Sequence, residues 1–324
     1  MPESISVERL DPTATGSADL AEWCRLYVSL QAEQSGGAPP PGALERELRA
    51  RDPDPKRSLW VGRVRGAIAA AGSLGLEADE YGYVRLYVAG VHRRKGVGRA
   101  ALRRMAGEAL AQKVTALRST VVEGSPGERF AAAVGAEVLL RLVLEELHLD
   151  AHGEAKLATL ARRPYPSYRL AHWRSNAPPD LVTSYSELKH FIHDAPGSSL
   201  QLGARRPWDV DRVRIMEEGV RRSGAELWVS AAVAPAAVVA FTEAAVHPGF
   251  ASQMDTVVLP GHRGRGLALW LKADLALRLL RERPDVIRIS STVNEANVPM
   301  RTINRRLGYQ TRWRRLLVEV GIHR

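Results

Sequence analysis

Two short stretches of the chain combine glycine with arginine or lysine at a spacing that suits phosphate binding. "HRRKGVG" covers residues 92–98, and "HRGRGLA" covers residues 262–268. Each follows an apolar, β-branched segment and opens an amphipathic pattern, which predicts a strand, a tight turn and a helix. The first N–H groups of such a helix have no backbone partners, and glycine lets an anion approach the main chain. Both turns are therefore predicted to bind a phosphate or a diphosphate.

Two common phosphate-binding motifs do not describe these turns. The Walker motif needs four residues between its glycines and then Gly-Lys-Ser/Thr. The dinucleotide fingerprint needs G-x-G-x-x-G, with an acidic residue about twenty positions later. Neither pattern is present in either stretch. We expect neither a P-loop nucleotide site nor a doubly wound dinucleotide fold.

The two turns belong to a longer internal repeat. "SLWVGRV" at 58–64 resembles "ELWVSAA" at 226–232, and "VGAEV" at 134–138 resembles "LGYQT" at 307–311. The matches occur in the same order at a nearly constant separation, which indicates a duplicated domain. The predicted domains are residues 1–150 and 166–324, joined by a helix-prone connector at 151–165.

Composition limits the classes of protein that fit. The chain has 324 residues, a length typical of two domains, and a net charge of +10. Most of the excess falls in residues 166–324, which favours an anionic partner. The single cysteine, Cys24, excludes an intrachain disulfide, and we expect no metal site. No apolar run has the ~18 residues of a membrane span, and the first residues lack a leader pattern, so we expect a cytoplasmic protein with no membrane partner.

The spacing of the two turns resembles the coenzyme A diphosphate loop of the GNAT (GCN5-related N-acetyltransferase) superfamily. The preceding segments "VAGVHR" and "VVLPGHR" resemble the end of the strand before that loop. The loop positions are Arg93, Arg94, Lys95, Gly96, Val97 and Gly98 in the first copy and Arg263, Gly264, Arg265, Gly266, Leu267 and Ala268 in the second. "NEANVPMRTINRRLGY" resembles a later family segment, in which Asn294 and Asn297 would shape the channel of the pantetheine arm. The two-copy layout is similar to that of mycothiol synthase and of actinobacterial acetyltransferases.

The resemblance implies a fold and a reaction. The fold is α/β (α+β), with two tandem copies that each have a mixed, mostly antiparallel sheet flanked by helices and one splayed pair of parallel strands. The cofactor is acetyl-CoA, whose pantetheine amides would pair with the strand main chain at Val88 and Ala89 or at Val258 and Leu259. The reaction is direct transfer of the acetyl group to a primary amine of a small molecule.

The same resemblance suggests which residues act on protons. Asp255 is the first candidate for the general base and Glu243 the second, because both lie on strands that border the acceptor cleft. The tyrosine with which many family members protonate the leaving thiolate aligns with Asn304 in the second copy, which we count among the candidate catalytic residues, and with Ala131 in the first. The first copy also has Arg85 where the second has Asp255. We therefore hypothesise that the second copy catalyses and that the first is degenerate but able to hold coenzyme A.

Two other functions remain open at this stage. The basic second half could bind a tRNA or a protein acceptor, in which case nucleic-acid binding would weaken steeply with ionic strength. Alternatively, the absence of a tyrosine acid in both copies would fit a non-catalytic coenzyme A-binding protein. The protein could be a monomer or a homodimer, and the sequence does not name the acceptor amine.

Overall fold

The computed structural model describes residues 4–13, 18–35, 42–50, 56–77, 81–194 and 207–323. The chain divides into two compact units. The first unit comprises residues 1–140 together with 315–324, and the second comprises residues 141–314.

The first unit contains strands at its core and helices against them. Its strands are β1 (Ile5–Leu10), β2 (Arg57–Val64), β3 (Ala67–Glu77), β4 (Tyr81–Val88) and β5 (Ala116–Val122). Its helices are α1 (Ala18–Ser35), α2 (Ala43–Ala50), α3 (Val97–Ala111) and α4 (Pro126–Ala133). Two further strands, β6 (Glu137–His148) and β12 (Gln310–Gly321), cross the boundary between the units.

The sheet of the first unit has the order β1-β2-β3-β4-β5-β12, with residues 315–321 of β12 beside β5. All neighbours are antiparallel except β4 and β5. These two parallel strands pair only where Gly82 faces Leu117 and Tyr83 faces Arg118, and beyond that point they separate. The predicted splayed pair is confirmed in this unit.

The second unit repeats this arrangement. It contains α5 (Ala151–Ala161), β7 (Arg169–Arg174), α6 (Val182–Lys189), α7 (Val210–Arg222), β8 (Glu226–Val233), β9 (Val238–His247), β10 (Phe250–Val258), α8 (Leu267–Glu282), β11 (Arg288–Asn294) and α9 (Val298–Leu307). The sheet order is β7-β8-β9-β10-β11-β6. The parallel strands β10 and β11 pair only at residues 251–252 and 289–290, and a bulge interrupts β10 between Gln253 and Thr256. The predicted fold class is therefore confirmed in both copies.

The last strand of each repeat completes the sheet of the other unit. Residues 141–148 of β6 pair with β11 of the second unit, and residues 315–321 of β12 pair with β5 of the first. The predicted boundaries at 150 and 166 therefore differ from the compact units, because β6 and β12 exchange places. The predicted connector at 151–165 also differs, since α5 packs Leu157 and Ala158 into the core of the second unit.

Each Gly-rich turn is followed by a helix with a buried stripe. In α3, Val97, Ala101, Met105 and Ala109 recur every four residues and are buried, as expected of a helix lying on a sheet. Helix α8 is buried around much of its circumference. Among the described residues, no helix is long and apolar enough to cross a membrane.

Candidate active site

The first Gly-rich turn forms a short concave segment of backbone. β4 ends at Val88, a 3₁₀ turn covers Gly90–His92, and α3 begins at Val97. Arg94 and Gly96 both have positive φ angles, of 65° and 89°, and no side chain caps the helix. Backbone that alternates in this way presents its N–H groups to one side, which favours anions. The left-handed conformation of Arg94 costs about 1–2 kcal/mol for a residue with a β-carbon.

The first arginine of each turn holds the turn against the strand that precedes it. Arg93 Nε donates to the carbonyl oxygen of Val88 at 2.9 Å, and Arg263 Nε donates to that of Val258 at 3.0 Å. The same contact in both copies points to a structural use for this side chain. The carbonyl oxygens of Val88 and Val258 each keep a second lone pair, so the expected pairing of pantetheine with these two residues stays a prediction.

The neighbouring main-chain groups are also used within the fold. The N–H of Ala89 donates to Ala69, and its carbonyl accepts from the N–H of His92. The N–H of Leu259 donates to Val239 in the same way. Pantetheine could therefore pair with the N–H of Ala89 or Leu259 only by replacing an existing hydrogen bond, because a main-chain amide has one hydrogen to donate. The carbonyl oxygens of both residues can accept a further bond.

A cavity of about 660 Å³ opens beside the first turn. This volume lies in the range of small-molecule sites, roughly 300–1,000 Å³. Its polar wall consists mainly of His92, Arg93, Arg94, Arg99, Ser125 and Arg129, and its apolar wall of Leu30, Leu86, Val88, Val122 and Phe130. The described residues that line it include no aspartate or glutamate. The cavity therefore suits a ligand with both a polyanionic part and an apolar part.

The guanidinium groups of this cavity are held by backbone carbonyls. Arg99 Nη2 donates to the carbonyl oxygen of Ala133 at 3.1 Å, and Arg129 Nη1 donates to that of Gly124 at 3.2 Å. The Nδ1 atom of His92 is buried without a hydrogen-bond partner among the described residues. The guanidinium groups of Arg99 and Arg129 keep further N–H groups for a bound anion, because each guanidinium has five N–H donors.

The second turn has the same backbone shape but a covered surface. Gly264 and Gly266 have φ angles of 77° and 87°. A β-carbon placed on Gly266 would lie 2.7 Å from the hydroxyl oxygen of Tyr165. The ring of Tyr165 stacks on Trp270, with 4.5 Å between centroids, and Trp270 Nε1 donates to the carbonyl oxygen of Ala161. Tyr165 thus lies on the surface of the turn where a bound ligand would lie.

A second tyrosine ties down the side chains of the same turn. The hydroxyl of Tyr168 lies 2.9 Å from Nδ1 of His262, and Arg265 Nη1 donates to this hydroxyl at 3.2 Å. Arg263 Nη2 lies 3.5 Å from a carboxylate oxygen of Asp194. By contrast, the nearest described atom to a β-carbon on Gly96, in the first turn, is 3.7 Å away on Ile5. The two turns therefore share a backbone but differ in access.

The helix positions after each turn contribute backbone rather than side chains. Val97 and Leu267 are buried in their cores. Gly98 lies against Phe130 and Val88, where a β-carbon would have contacts of 3.4–3.5 Å. Lys95 is exposed at the first turn, and Ala268 is half-buried at the second. At the helix positions after each turn, the main-chain N–H is therefore the group that can face an anion. At Lys95 the exposed side chain can do so as well.

The structure brings the two candidate bases together around a lysine that sequence reasoning missed. Lys189 Nζ lies 2.7 Å from Glu243 Oε1 and 3.6 Å from Asp255 Oδ2. Lys189 and Glu243 have fully buried side chains, whereas 35% of the Asp255 side chain is exposed. The hydroxyl of Tyr185 donates to Glu243 as well. Burial raises the pKa of Glu243 above its ordinary value, although Lys189 beside it acts in the opposite direction.

The lysine also fills the space in front of these carboxylates. Its Nζ atom lies 4.8–5.0 Å from the ring centroids of Tyr185, Trp208 and Phe241. Cations are stabilised at such distances from aromatic faces. Glu243 is therefore a paired buried charge, and of the two candidates only Asp255 is open to solvent.

The three asparagines of the segment at 294–304 are engaged within the fold. Asn297 caps α9 by accepting from the N–H of Met300 at 3.1 Å, and Asn294 accepts from the N–H of Ala296 at 3.0 Å. Asn304 is fully buried, and its Nδ2 donates to Glu145 at 2.7 Å. A position closed to solvent does not suit the catalytic role expected for Asn304. Asparagine is a favoured N-cap residue, and its position directly before the helical pattern could have indicated the structural use of Asn297.

Some residues of the cavity could have been found from the sequence and others could not. Arg129 and Phe130 lie in the segment that aligns with "NEANVPMRTINRRLGY", so the repeat itself pointed to them. Tyr165 lay in the expected connector, and Lys189 lay in a segment with no recognised motif. Neither had a signal in the sequence that linked it to a turn or to a carboxylate.

Comparison with known proteins agrees with this geometry. Residues 23–134, which include the cavity-forming turn, match the model of the acetyltransferase (GNAT) family. A solved tandem GNAT protein from the clavulanic acid biosynthesis pathway, determined without AcCoA, is 25% identical, with 98% of each chain covered and a TM-score of 0.78. A GCN5-related N-acetyltransferase from Sphaerobacter thermophilus is 16% identical, with 99% of this chain and 96% of that chain covered and a TM-score of 0.68. Curated protein sequences gave no match.

Proposed function

On the premise that residues 23–134 form a GNAT acetyltransferase domain within a tandem GNAT layout, we propose that the protein transfers an acetyl group from acetyl-CoA to a small-molecule amine, with the cofactor in the first unit. One observation carries this proposal. The cavity of about 660 Å³ lies at the first turn, whereas Tyr165 covers the second. The proposal therefore reverses the ranking of the two copies that the sequence suggested.

The residues present suit coenzyme A. The N–H groups at the start of α3 and the guanidinium groups of Arg94, Arg99 and Arg129 provide donors for a diphosphate and a further phosphate. Leu86, Val88 and Phe130 provide an apolar wall for the pantetheine arm. When bound, acetyl-CoA supplies a thioester, whose carbonyl carbon an amine attacks.

The chain's own residues assign the proton transfers differently from the sequence-based hypothesis. No carboxylate lines the described part of the cavity, so we infer that water takes the proton of the ammonium form and that the neutral amine attacks. The proton that the nitrogen then carries passes to water or to the leaving thiolate. Burial raises the pKa of Tyr87, which lines the cavity, to about 12. Its phenol therefore remains a hydrogen-bond donor at neutral pH and can face the leaving sulfur. Asp255, on β10 of the second unit, takes no part in this scheme.

The test combines thiol release from acetyl-CoA with variants of each unit. An amine panel should raise thiol release by the wild-type protein, and Arg129→Glu should lower kcat/KM at least tenfold by weakening cofactor binding. Asp255→Asn should leave kcat within about twofold of the wild-type value. Loss of activity in Asp255→Asn together with full activity in Arg129→Glu would return catalysis to the second unit. Absence of thiol release with every amine would remove the enzymatic proposal altogether.

A further inference from the structure

One face of the opened strands in the first unit carries arginines that form no ion pair with a carboxylate of the described residues. Because Tyr83 is paired with Arg118 in the parallel register, the alternating residues Tyr83, Arg85 and Tyr87 share a face with Thr120 and Val122. The hydroxyls of Tyr83 and Thr120 lie 2.6 Å apart, which confirms that these side chains point to the same side. Tyr87 and Val122 of this face also line the cavity.

The C-terminal strand adds a second arginine to this face. Arg315 of β12 lies directly opposite Val122 of β5, so its side chain projects to the same side as that of Val122. Farther along the same pair of strands, Glu319 lies opposite Arg118, and their side chains form an ion pair at 2.6 Å. This ion pair shows that opposite residues of β5 and β12 do meet on this face.

Within the part of the chain that the structure describes, an ion pair balances the charge of this face at one end. Arg118 is neutralised by Glu319. Among the described residues, no carboxylate forms an ion pair with Arg85 or with Arg315. Burial alone would lower the pKa of the Arg85 guanidinium, but the hydroxyls of Tyr27, Tyr83 and Tyr87 outweigh it and raise the pKa. Arg85 therefore keeps its charge at neutral pH.

Aromatic side chains complete the surroundings of the two arginines. Tyr27 of α1 meets Tyr87 edge to face, with 4.9 Å between ring centroids, and the Arg85 guanidinium lies 5.6 Å from the Tyr83 ring. Tyrosine hydroxyls and guanidinium groups are donors that suit carboxylate or phosphate oxygens. Arg85 and Tyr87 correspond to Asp255 and Val257 of the second copy. These two donors are therefore present in the first copy and absent from the second.

We propose that the acceptor of the first unit is an amine that also carries an anionic group, a carboxylate or a phosphate, bound by Arg85 and Arg315 beside the hydroxyl of Tyr87. The inference rests on the proposed acetyl transfer and names the substrate class of that site. Arg85 and Arg315 are specificity residues here, since they hold the anionic group rather than the reacting nitrogen. The C-terminal strand thereby supplies part of the site of the first unit.

The experiment uses pairs of amines that differ only in the anionic group. An α-amino acid is compared with its carboxamide, and phosphoethanolamine with ethanolamine, in the thiol-release assay with the full chain. The anionic member of at least one pair should have a kcat/KM at least tenfold higher. The pair that responds distinguishes a carboxylate from a phosphate.

Variants then assign the preference to the two arginines. Arg85→Met and Arg315→Met should each raise KM for the anionic amine at least tenfold, with kcat, KM for the neutral amine and the Kd of coenzyme A nearly unchanged. Arg103→Met, which changes an exposed arginine of α3, is the matched control and should alter none of these values. Thermal unfolding of each variant shows that the fold is retained, and Arg85→Gln serves if Arg85→Met is unstable.

The outcomes distinguish failure of the anionic acceptor from failure of the proposed acetyl transfer. If no amine is acetylated, the proposed function fails. If neutral amines are acetylated as well as their anionic partners, or if both arginine variants keep the wild-type KM, acetyl transfer stands and the anionic acceptor is overturned.

Discussion

The hydroxyl oxygen of Tyr165 lies 2.7 Å from the position that a β-carbon on Gly266 would occupy. The stacking of its ring on Trp270 favours this position of the tyrosine. Among the residues that the structure describes, the same turn in the first copy has no such neighbour, since Ile5 is 3.7 Å from the equivalent point at Gly96. This difference turns two similar sequence motifs into one open and one covered surface.

The covered turn makes glycine replacement more costly in the second copy than in the first. Gly96→Ala and Gly266→Ala both place a β-carbon at a φ angle near 88°, which costs about 1–2 kcal/mol. Gly266→Ala adds the clash with Tyr165, and overpacking of this kind costs about 1–3 kcal/mol more. Urea unfolding of both variants measures the difference. In the background of Tyr165→Phe the extra loss should shrink, and equal losses in both backgrounds would contradict the contact.

Arg94 allows stability and ligand binding to be separated at one position. The second copy has Gly264 at the equivalent place, with a φ angle of 77° against 65° for Arg94. Arg94→Gly removes the left-handed strain of a side chain, so the free energy of unfolding should stay equal or rise by up to about 1 kcal/mol. The same change removes a cation from the cavity and should weaken coenzyme A binding about tenfold or more, which isothermal titration calorimetry measures.

The reverse change, Gly264→Arg, is the matched control for this prediction. It should lower stability, because it introduces the strain, and leave coenzyme A binding unchanged. The titration should also give one coenzyme A per chain. A stoichiometry of two, or weaker binding in Gly264→Arg, would mean that the second turn is open in solution.

The fold was predictable where the determinants are local. The apolar stripe of α3, the glycine before it and the recurrence of the same pattern at α8 all lie within short stretches of sequence. The exchange of β6 and β12 was not predictable, because the two strands have similar alternating patterns and either could pair with β5 or with β11. Pairing is decided by register over a long sequence separation, which a single sequence does not reveal.

The candidate site also has features that the sequence predicts and features that it does not. The turn residues Arg94 and Gly96 were identified from their spacing, and the structure places both beside the cavity. The ranking of the copies depended on Asp255, whose neighbour Lys189 comes from a helix 66 residues earlier in the chain. Likewise, Tyr165 meets Gly266 across about 100 residues. Contacts of this range decided which turn is open, and no motif encodes them.

The exchanged strand predicts a long-range effect on the first unit. Leu316 is 1% exposed and packs with Val318 against Ala131 of α4. Leu316→Ala should cost about 2–5 kcal/mol, as for other buried leucines. Amide hydrogen exchange should accelerate in β5, which pairs with this strand, more than in β9 of the second unit. Equal acceleration in β5 and β9 would contradict a local effect through the strand.

A buried lysine predicts how stability changes with pH. Lys272 is 2% exposed, and its Nζ atom donates to Gln253 at 3.1 Å. Burial lowers the pKa of Lys272 to about 7, although Glu145 acts in the opposite direction. Between pH 7 and about 10 the unfolded chain therefore binds a proton that the folded chain does not. The free energy of unfolding should rise with pH in this window through Lys272, by up to about 1.4 kcal/mol per pH unit, and the contribution is lost as pH falls through 7.

Lys272→Met removes this proton while keeping an unbranched side chain of similar length. Urea unfolding at pH 7, 8 and 9 should give a smaller slope of stability against pH for the variant than for the wild-type protein. The difference between the two slopes isolates Lys272, because all other groups titrate in both proteins. Lys156→Met, an exposed position on α5, should keep the wild-type slope. If Lys272→Met also keeps that slope, Lys272 is charged in the folded protein, and the polar groups around it stabilise a buried ammonium at neutral pH.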